Sequence, residues 1–166
     1  MIDRYTTARM RNIWSPKHRW DLFLNVELAY LEALEEDGIA PAGNAALIRD
    51  TVRIDPERIE ALEATLRHDV IAFLAHVEEQ AGDATRFLHY GLTSSDVLDT
   101  VTALQLKQAA GYVREEWSNL EAALDELAER HRRPLHRNFI CGYSRPTQRH
   151  TRRLGRARSG AHHCTA

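Results

Sequence analysis

Apolar residues recur along most of this chain at the three- and four-residue spacing of an amphipathic helix. No stretch alternates with period two for long enough to predict a strand. Trp20, Leu24, Leu28, Leu31 and Leu34 form the first helical stripe. Ser15-Pro16 starts it, a capping hydroxyl followed by proline at the first helical position, and Gly38 stops it. The preceding residues 1–14 read as an irregular arm with a single helical turn. Residues 41–51 predict a short helix. Asp55-Pro56 then repeats the cap-and-proline start, with Ile59, Leu62 and Leu66 along one face. Residues 70–79 are again helical, which places Arg67-His68-Asp69 at a junction between helices. After the break at Ala81-Gly82-Asp83 and a loop at His89-Tyr90-Gly91-Leu92, a long helix starts within residues 93–95 and runs to Arg132. Val97, Val101 and Leu104 line its beginning. Val113, Trp117, Leu120, Leu124 and Leu127 continue it in steps of four, three, four and three, the seam of a helix covered by other helices. The predicted fold class is all-α.

That last helix is long for its surroundings. At 1.5 Å per residue it spans roughly 55–60 Å, more than the width of a domain of this size. Its far end is expected to be bare unless helices from further sequence or from other subunits cover it.

With 166 residues, 43% hydrophobic and 28% charged, the composition is that of a soluble globular protein able to bury a core. No apolar run is long enough to cross a bilayer, and MIDRYTTARMR is no secretory signal, so the expected location is the cytoplasm with no membrane partner. The net charge of −2 conceals a split: residues 136–166 hold seven arginines and no acidic residue, leaving 15 basic against 24 acidic residues before them. Both cysteines, Cys141 and Cys164, lie in this basic stretch, and their spacing suits neither a disulfide framework nor a zinc site.

The chemistry concentrates in HYGLTSSDVLDT, His89 to Thr100, with RHDV at Arg67 to Val70. A helix start leaves backbone N–H groups unpaired and partly positive. Thr93, Ser94 and Ser95 add hydroxyls there, a cradle suited to a carboxylate or phosphate, although TSSD alone also reads as a plain cap with Asp96 and Asp99 complementing the dipole. His68 and His89 are candidates for moving a proton or holding an anion. Arg67 suits an anion or an ion pair with a nearby Glu, Asp69 orients His68 or caps the next helix, and His76 fits a packed histidine on an apolar helix. From the residues alone this is an anion site flanked by histidines, with no reaction named.

At these residues the chain resembles adenylosuccinate lyase, within the fumarase/aspartase superfamily. The resemblance runs from Met1 to about Leu135, through Arg4-Tyr5, the IW-S segment at residues 13–15, TLRHDVIAF at residues 65–73 and LHYGLTSSDVLDT at residues 88–100. It implies an N-terminal helical domain over residues 1–92 and, over 93–135, the first long helix of a fumarase/aspartase-type bundle, truncated. It implies elimination of fumarate from adenylosuccinate, giving AMP, and from the succinylated carboxamide intermediate of purine synthesis. A base removes a proton beside a carboxylate, and an acid protonates the departing nitrogen. No metal or other cofactor is implied. Arg4 and Tyr5 would contact the nucleotide; Arg67, His68 and Asp69 would line the pocket, with His68 the catalytic candidate on the acid side. His89 would place the substrate through its phosphate, and Thr93 and Ser94 would bind a succinyl carboxylate. The family is a homotetramer whose sites draw on three subunits, which would also cover the long helix.

Residues 136–166 depart from the family pattern. After HRRPL the family has a Gly-Arg-Ser/Thr-His-Gly motif bearing the general-acid histidine and, much later, a loop with the serine base; neither occurs here. A shifted reading frame near residue 135 is the leading explanation, since the Arg-rich, Lys-poor stretch is what GC-rich coding sequence gives out of frame. On that view the stretch is disordered and the chain by itself does not turn over substrate. A genuine basic tail that binds nucleic acid is less expected, and a metal site at His150, His162, His163 and Cys164 least of all. The alternatives to the lyase assignment are an inactive helical remnant or binding module, and another lyase or cycloisomerase of the superfamily.

Overall fold

Capping chemistry fixes where most of the helices begin and end. The computed structural model describes residues 3–132, and every element among them is helical. A 3₁₀ turn at Asp3–Tyr5 leads to α1 (Ala8–Ile13), α2 (Pro16–Glu36), α3 (Asn44–Thr51), α4 (Pro56–Leu66), α5 (Asp69–Ala81), a 3₁₀ segment at Gly82–Phe87 and α6 (Ser94–Arg130). Ser15 caps α2 by accepting from the His18 N–H, with Pro16 at the first position. At its other end Gly38, in the left-handed region, lets the Ile39 N–H return to the Leu34 carbonyl, a Schellman closure. Asp55 caps α4 through the N–H groups of Glu57 and Arg58. α3 lacks a cap of its own. Glu35 of α2 supplies one from a distance, accepting from Gly43 at 3.1 Å and Ala45 at 2.7 Å.

The arm before Ser15 is more ordered than its sequence predicts. Thr7 caps α1 by accepting from the Met10 N–H, and Gln105 of α6 donates to the Ile13 carbonyl at 2.8 Å. The second bond is buried and joins residues far apart in the chain, which local pattern does not reveal.

By packing, the described residues fall into two units, one up to Tyr112 and one from Val113 onward. In the first, Phe23, Leu28 and Leu31 of α2 meet Ile48, Ile59, Val70, Phe73 and Val77, with Val97 and Val101 of α6 completing the core. Trp20, Phe23 and Phe73 form an aromatic trio, with Trp20 stacked on Phe73 at 5.8 Å and the other two pairs edge-on at 4.8 and 5.5 Å. Such pairs add about 0.5–1.5 kcal/mol each beyond simple burial. The trio ties α2 to α5, and so fixes the helix whose first turn carries His68 and Asp69. α4 and α5 pack closely and are pinned outside by the Arg58–Glu79 ion pair.

His76 is a packed histidine, as its place on α5 predicts. Its Nε2 accepts from the Asp55 N–H at 3.3 Å, beside the Arg53 carbonyl and the Gln80 amide.

The described part of the second unit, residues 113–132, is the remainder of α6 and a closing turn. Its apolar seam faces outward: Val113, Trp117, Leu120, Leu124 and Leu127 are 41–60% exposed. The basic stretch at 136–166, with its frame-shift, nucleic-acid and metal-site alternatives, lies outside the described residues.

Candidate active site

Three separate sequence motifs meet at the start of α6. The first comes from the α4–α5 junction. Arg67 ends α4 in the left-handed region, at φ 56°, and His68 returns to extended backbone as the cap of α5. The His68 Nδ1 accepts from the Ile71 N–H at 3.4 Å, so in the neutral ring the proton sits on Nε2. That Nε2 lies 3.5 Å from the Ser94 hydroxyl oxygen. Asp69 stands beside the same ring, with Oδ1 3.7 Å from Nδ1, and its Oδ2 lies 3.5 Å from the Arg19 guanidinium. Arg19 itself lies over the Trp20 and Phe23 rings, so the core below places the charge that faces Asp69.

The second motif is the loop before α6. His89 also has left-handed backbone, at φ 57°, and among the described residues only Arg67 and His89 do so without being glycine. Strain of this kind persists where surrounding contacts over-determine it, and it gathers at functional sites. The contact here is Glu27 of α2. Its Oε2 accepts from the His89 backbone N–H at 2.8 Å, and its Oε1 lies 2.6 Å from the His89 Nδ1. Glu27 is fully buried, while the His89 side chain keeps 15% of its surface exposed.

The third motif is the helix start. Thr93 and Asp96 form a capping box: the Asp96 carboxylate accepts from the Thr93 N–H at 2.7 Å and from its hydroxyl at 2.8 Å. Those two donors, the backbone one first, hold the Asp96 carboxyl below the usual carboxylate range; partial desolvation opposes them, and the nearby His89 adds slightly to the effect. The cradle predicted at residues 93–95 is therefore part-filled by the chain's own carboxylate. Thr93 faces Asp96, and Ser94 faces His68.

The structure thus brings His68, Asp69 and Ser94 together, with His89 and Thr93 at the same helix start. Arg67 is exposed beside them, and among the described residues it forms no ion pair with the Glu that sequence offered as its alternative partner. Arg4 and Tyr5 stand apart on the N-terminal 3₁₀ turn, the guanidinium 4.7 Å above the Tyr5 ring centre, and that ring is 73% exposed.

Sequence reasoning missed Glu27 and Arg19. For Glu27 a signal existed: it lies seven residues from both Trp20 and Leu34, so it is a carboxylate on the apolar stripe of α2. Arg19 gave none, because its contact with Asp69 spans two distant helices.

Among the described residues, no group of three or more His, Cys, Asp or Glu is placed to hold a metal ion. No helix among them is long and apolar enough to cross a membrane.

An all-α domain feeding a long helix, with histidines gathered at that helix's first turn, is the architecture of a fumarase/aspartase-type lyase. The crystal structure of a fumarate lyase from Mesorhizobium sp. BNC1 superposes with a TM-score of 0.67 at 26% identity, over 73% of this chain and 29% of that one. No family model matches the chain. Whole-protein relatives are more specific. An adenylosuccinate lyase from Synechocystis sp. is 44% identical over 132 residues, 80% of this chain and 31% of that protein. Adenylosuccinate lyases from Staphylococcus saprophyticus and Thermotoga maritima are each 38% identical, over 78% and 80% of this chain and 30% and 31% of theirs. The chain is similar to part of these adenylosuccinate lyases, and the matches together fit an N-terminal fragment of such a protein. It spans about a third of the length of the curated relatives it matches.

Proposed function

We propose that this chain supplies substrate-holding residues of a lyase that splits adenylosuccinate into AMP and fumarate, and that releases fumarate likewise from the succinylated carboxamide intermediate of purine synthesis. In that elimination a proton leaves the carbon beside a carboxylate, the C–N bond breaks, and the departing nitrogen gains a proton. Negative charge builds on the carboxylate, so donors fixed beforehand around it do the most for the rate. Ser94 and Thr93 at the helix start are such donors, with the Thr93 donors exchanging Asp96 for substrate. His68, carrying its proton on Nε2, serves the acid side; Arg67, Asp69 and His89 line the pocket; Arg4 and Tyr5 reach the nucleotide.

The observation that carries this assignment is the 3.5 Å approach of His68 Nε2 to the Ser94 hydroxyl. It joins two of the motifs by which the sequence resembles the family, RHDV and HYGLTSSDV. The exposed seam of α6 supports the further proposal that the intact protein is a homotetramer, in which other helices cover it. The domain division at residues 92 and 135 is proposed on the same resemblance.

Hydrogen exchange in the presence of adenylosuccinate tests the assignment. Saturating ligand should slow exchange at residues 68–71 and 93–97, and His68→Ala should weaken that protection. Unchanged exchange overturns it. The fumarate lyase likeness supports one other outcome: protection by succinate with no response to AMP would assign the site to a different succinyl substrate.

A further inference from the structure

We propose that Glu27 is a positioning residue that sets which nitrogen of His89 meets the ligand. This rests on the assignment of His89 to the substrate site. A carboxylate offers only acceptors, so the 2.6 Å contact requires Nδ1 to carry the ring proton. Nε2 is then the nitrogen turned to the ligand, and among the described residues it has no protein partner.

Three features make Glu27 more than a neighbour. It is completely buried, so its two acceptors must be satisfied from within the protein, and His89 satisfies both. The backbone bond holds His89 in its left-handed conformation, so one side chain fixes both the main chain and the ring of the same residue. Finally, α2 is anchored through the aromatic trio to α5, which carries His68. The two site histidines therefore share one rigid support and take opposite tautomers: His68 presents an N–H at Nε2, and neutral His89 presents a lone pair there. A neutral His89 accepts from a donor on the ligand, such as a ribose hydroxyl or a protonated phosphate. A protonated ring held by the same carboxylate donates to a phosphate oxygen. In both states Glu27 keeps the Nδ1 proton in place and aims Nε2 outward.

Long-range proton–nitrogen NMR of the full chain labelled in its histidines tests this, with AMP as the probe. The expected wild-type result is a protonated Nδ1 in His89, a ring that shifts on AMP addition, and an Nδ1 proton retained throughout. Glu27→Gln has a single acceptor oxygen for two donors, and its amide N–H₂ faces one of them. It should lose the Nδ1 tautomer and bind AMP about tenfold more weakly, the effect of one charge-assisted hydrogen bond. Glu27→Asp, which keeps the charge, should restore the tautomer in part. An unprotonated Nδ1 in the neutral wild-type ring overturns the proposal without any variant, as does Glu27→Gln with tautomer and affinity unchanged. If the tautomer is as expected but AMP leaves the His89 ring unmoved, the presentation of Nε2 to ligand is overturned together with the assignment of His89 to the substrate site. The tautomer result and the AMP result thus fail separately.

Discussion

α6 carries the same kind of apolar pattern at both ends, with opposite outcomes. Over its first half Val97 and Val101 are buried in the core, Ala109 is buried too, and even Gln105 is enclosed. From Val113 onward, residues at equally regular spacing are exposed. Periodicity tells which residues share a face; whether that face is covered depends on sequence elsewhere. The near half finds its cover within the first 92 residues, and the site is built at that end, where the helix start, its cap and the preceding junctions share one support.

The largest test of this contrast compares aromatic residues. Phe73→Ala, at the centre of the trio, should cost about 3–5 kcal/mol in urea unfolding followed by circular dichroism. Trp117→Ala on the far half should change stability by less than about 0.5 kcal/mol. A loss above 1 kcal/mol there would mean that the far seam is covered in solution, since burial is what makes such truncations costly.

Charged pairs sharpen the same contrast. Glu27→Ala should cost roughly 3 kcal/mol, because it leaves a nearly buried imidazole and a backbone N–H without their acceptor. Glu126 and Arg130 also pair, on the far half, but both are mostly exposed, and Glu126→Ala should cost no more than about 0.5 kcal/mol. Equal costs for the two would contradict the burial of Glu27.

The cleanest pair uses one residue type on one helix. Val101→Ala removes two fully buried methyl groups and should destabilise by about 1–2 kcal/mol. Val113→Ala loses little burial, since Val113 is 57% exposed, and gains helix propensity, so it should stabilise by about a few tenths of a kcal/mol. The sign at Val113 is the discriminating result: a loss would mean that this face is already in contact with something.

These contrasts also mark what the sequence could tell. The caps at Ser15 and Asp55, the stop at Gly38, the junction at Arg67–Asp69 and the start of α6 were legible, because each depends on a few adjacent residues. The candidates His68, Asp69 and Ser94, which the structure brings together, could also be named from sequence, since they sit in contiguous motifs. What was not legible joins distant residues: Gln105 to Ile13, Glu35 to the start of α3, Arg19 to Asp69 and Glu27 to His89. The helix-start cradle was legible as a shape but not as a state, because the engagement of Thr93 by Asp96 depends on how the side chain turns back on the helix start.

That engagement gives the smallest and most specific prediction, one on pH. The Asp96 carboxyl titrates lower in the folded chain than in the unfolded one, its proton disfavoured by the bonds from Thr93. A depressed folded value contributes stability above the unfolded value, about 3.9 for aspartate, and that contribution is lost as pH falls through the folded value. Asp96→Asn keeps an oxygen acceptor for Thr93 but cannot titrate, so near neutrality it should be slightly less stable than wild type. The difference should shrink as the solution is made acid and vanish once Asp96 is protonated. Urea midpoints of the two proteins across an acid series measure this. A gap that persists into strong acid would mean that Asn disturbs the helix start sterically, and that charge at the cap is not what holds the near end of α6.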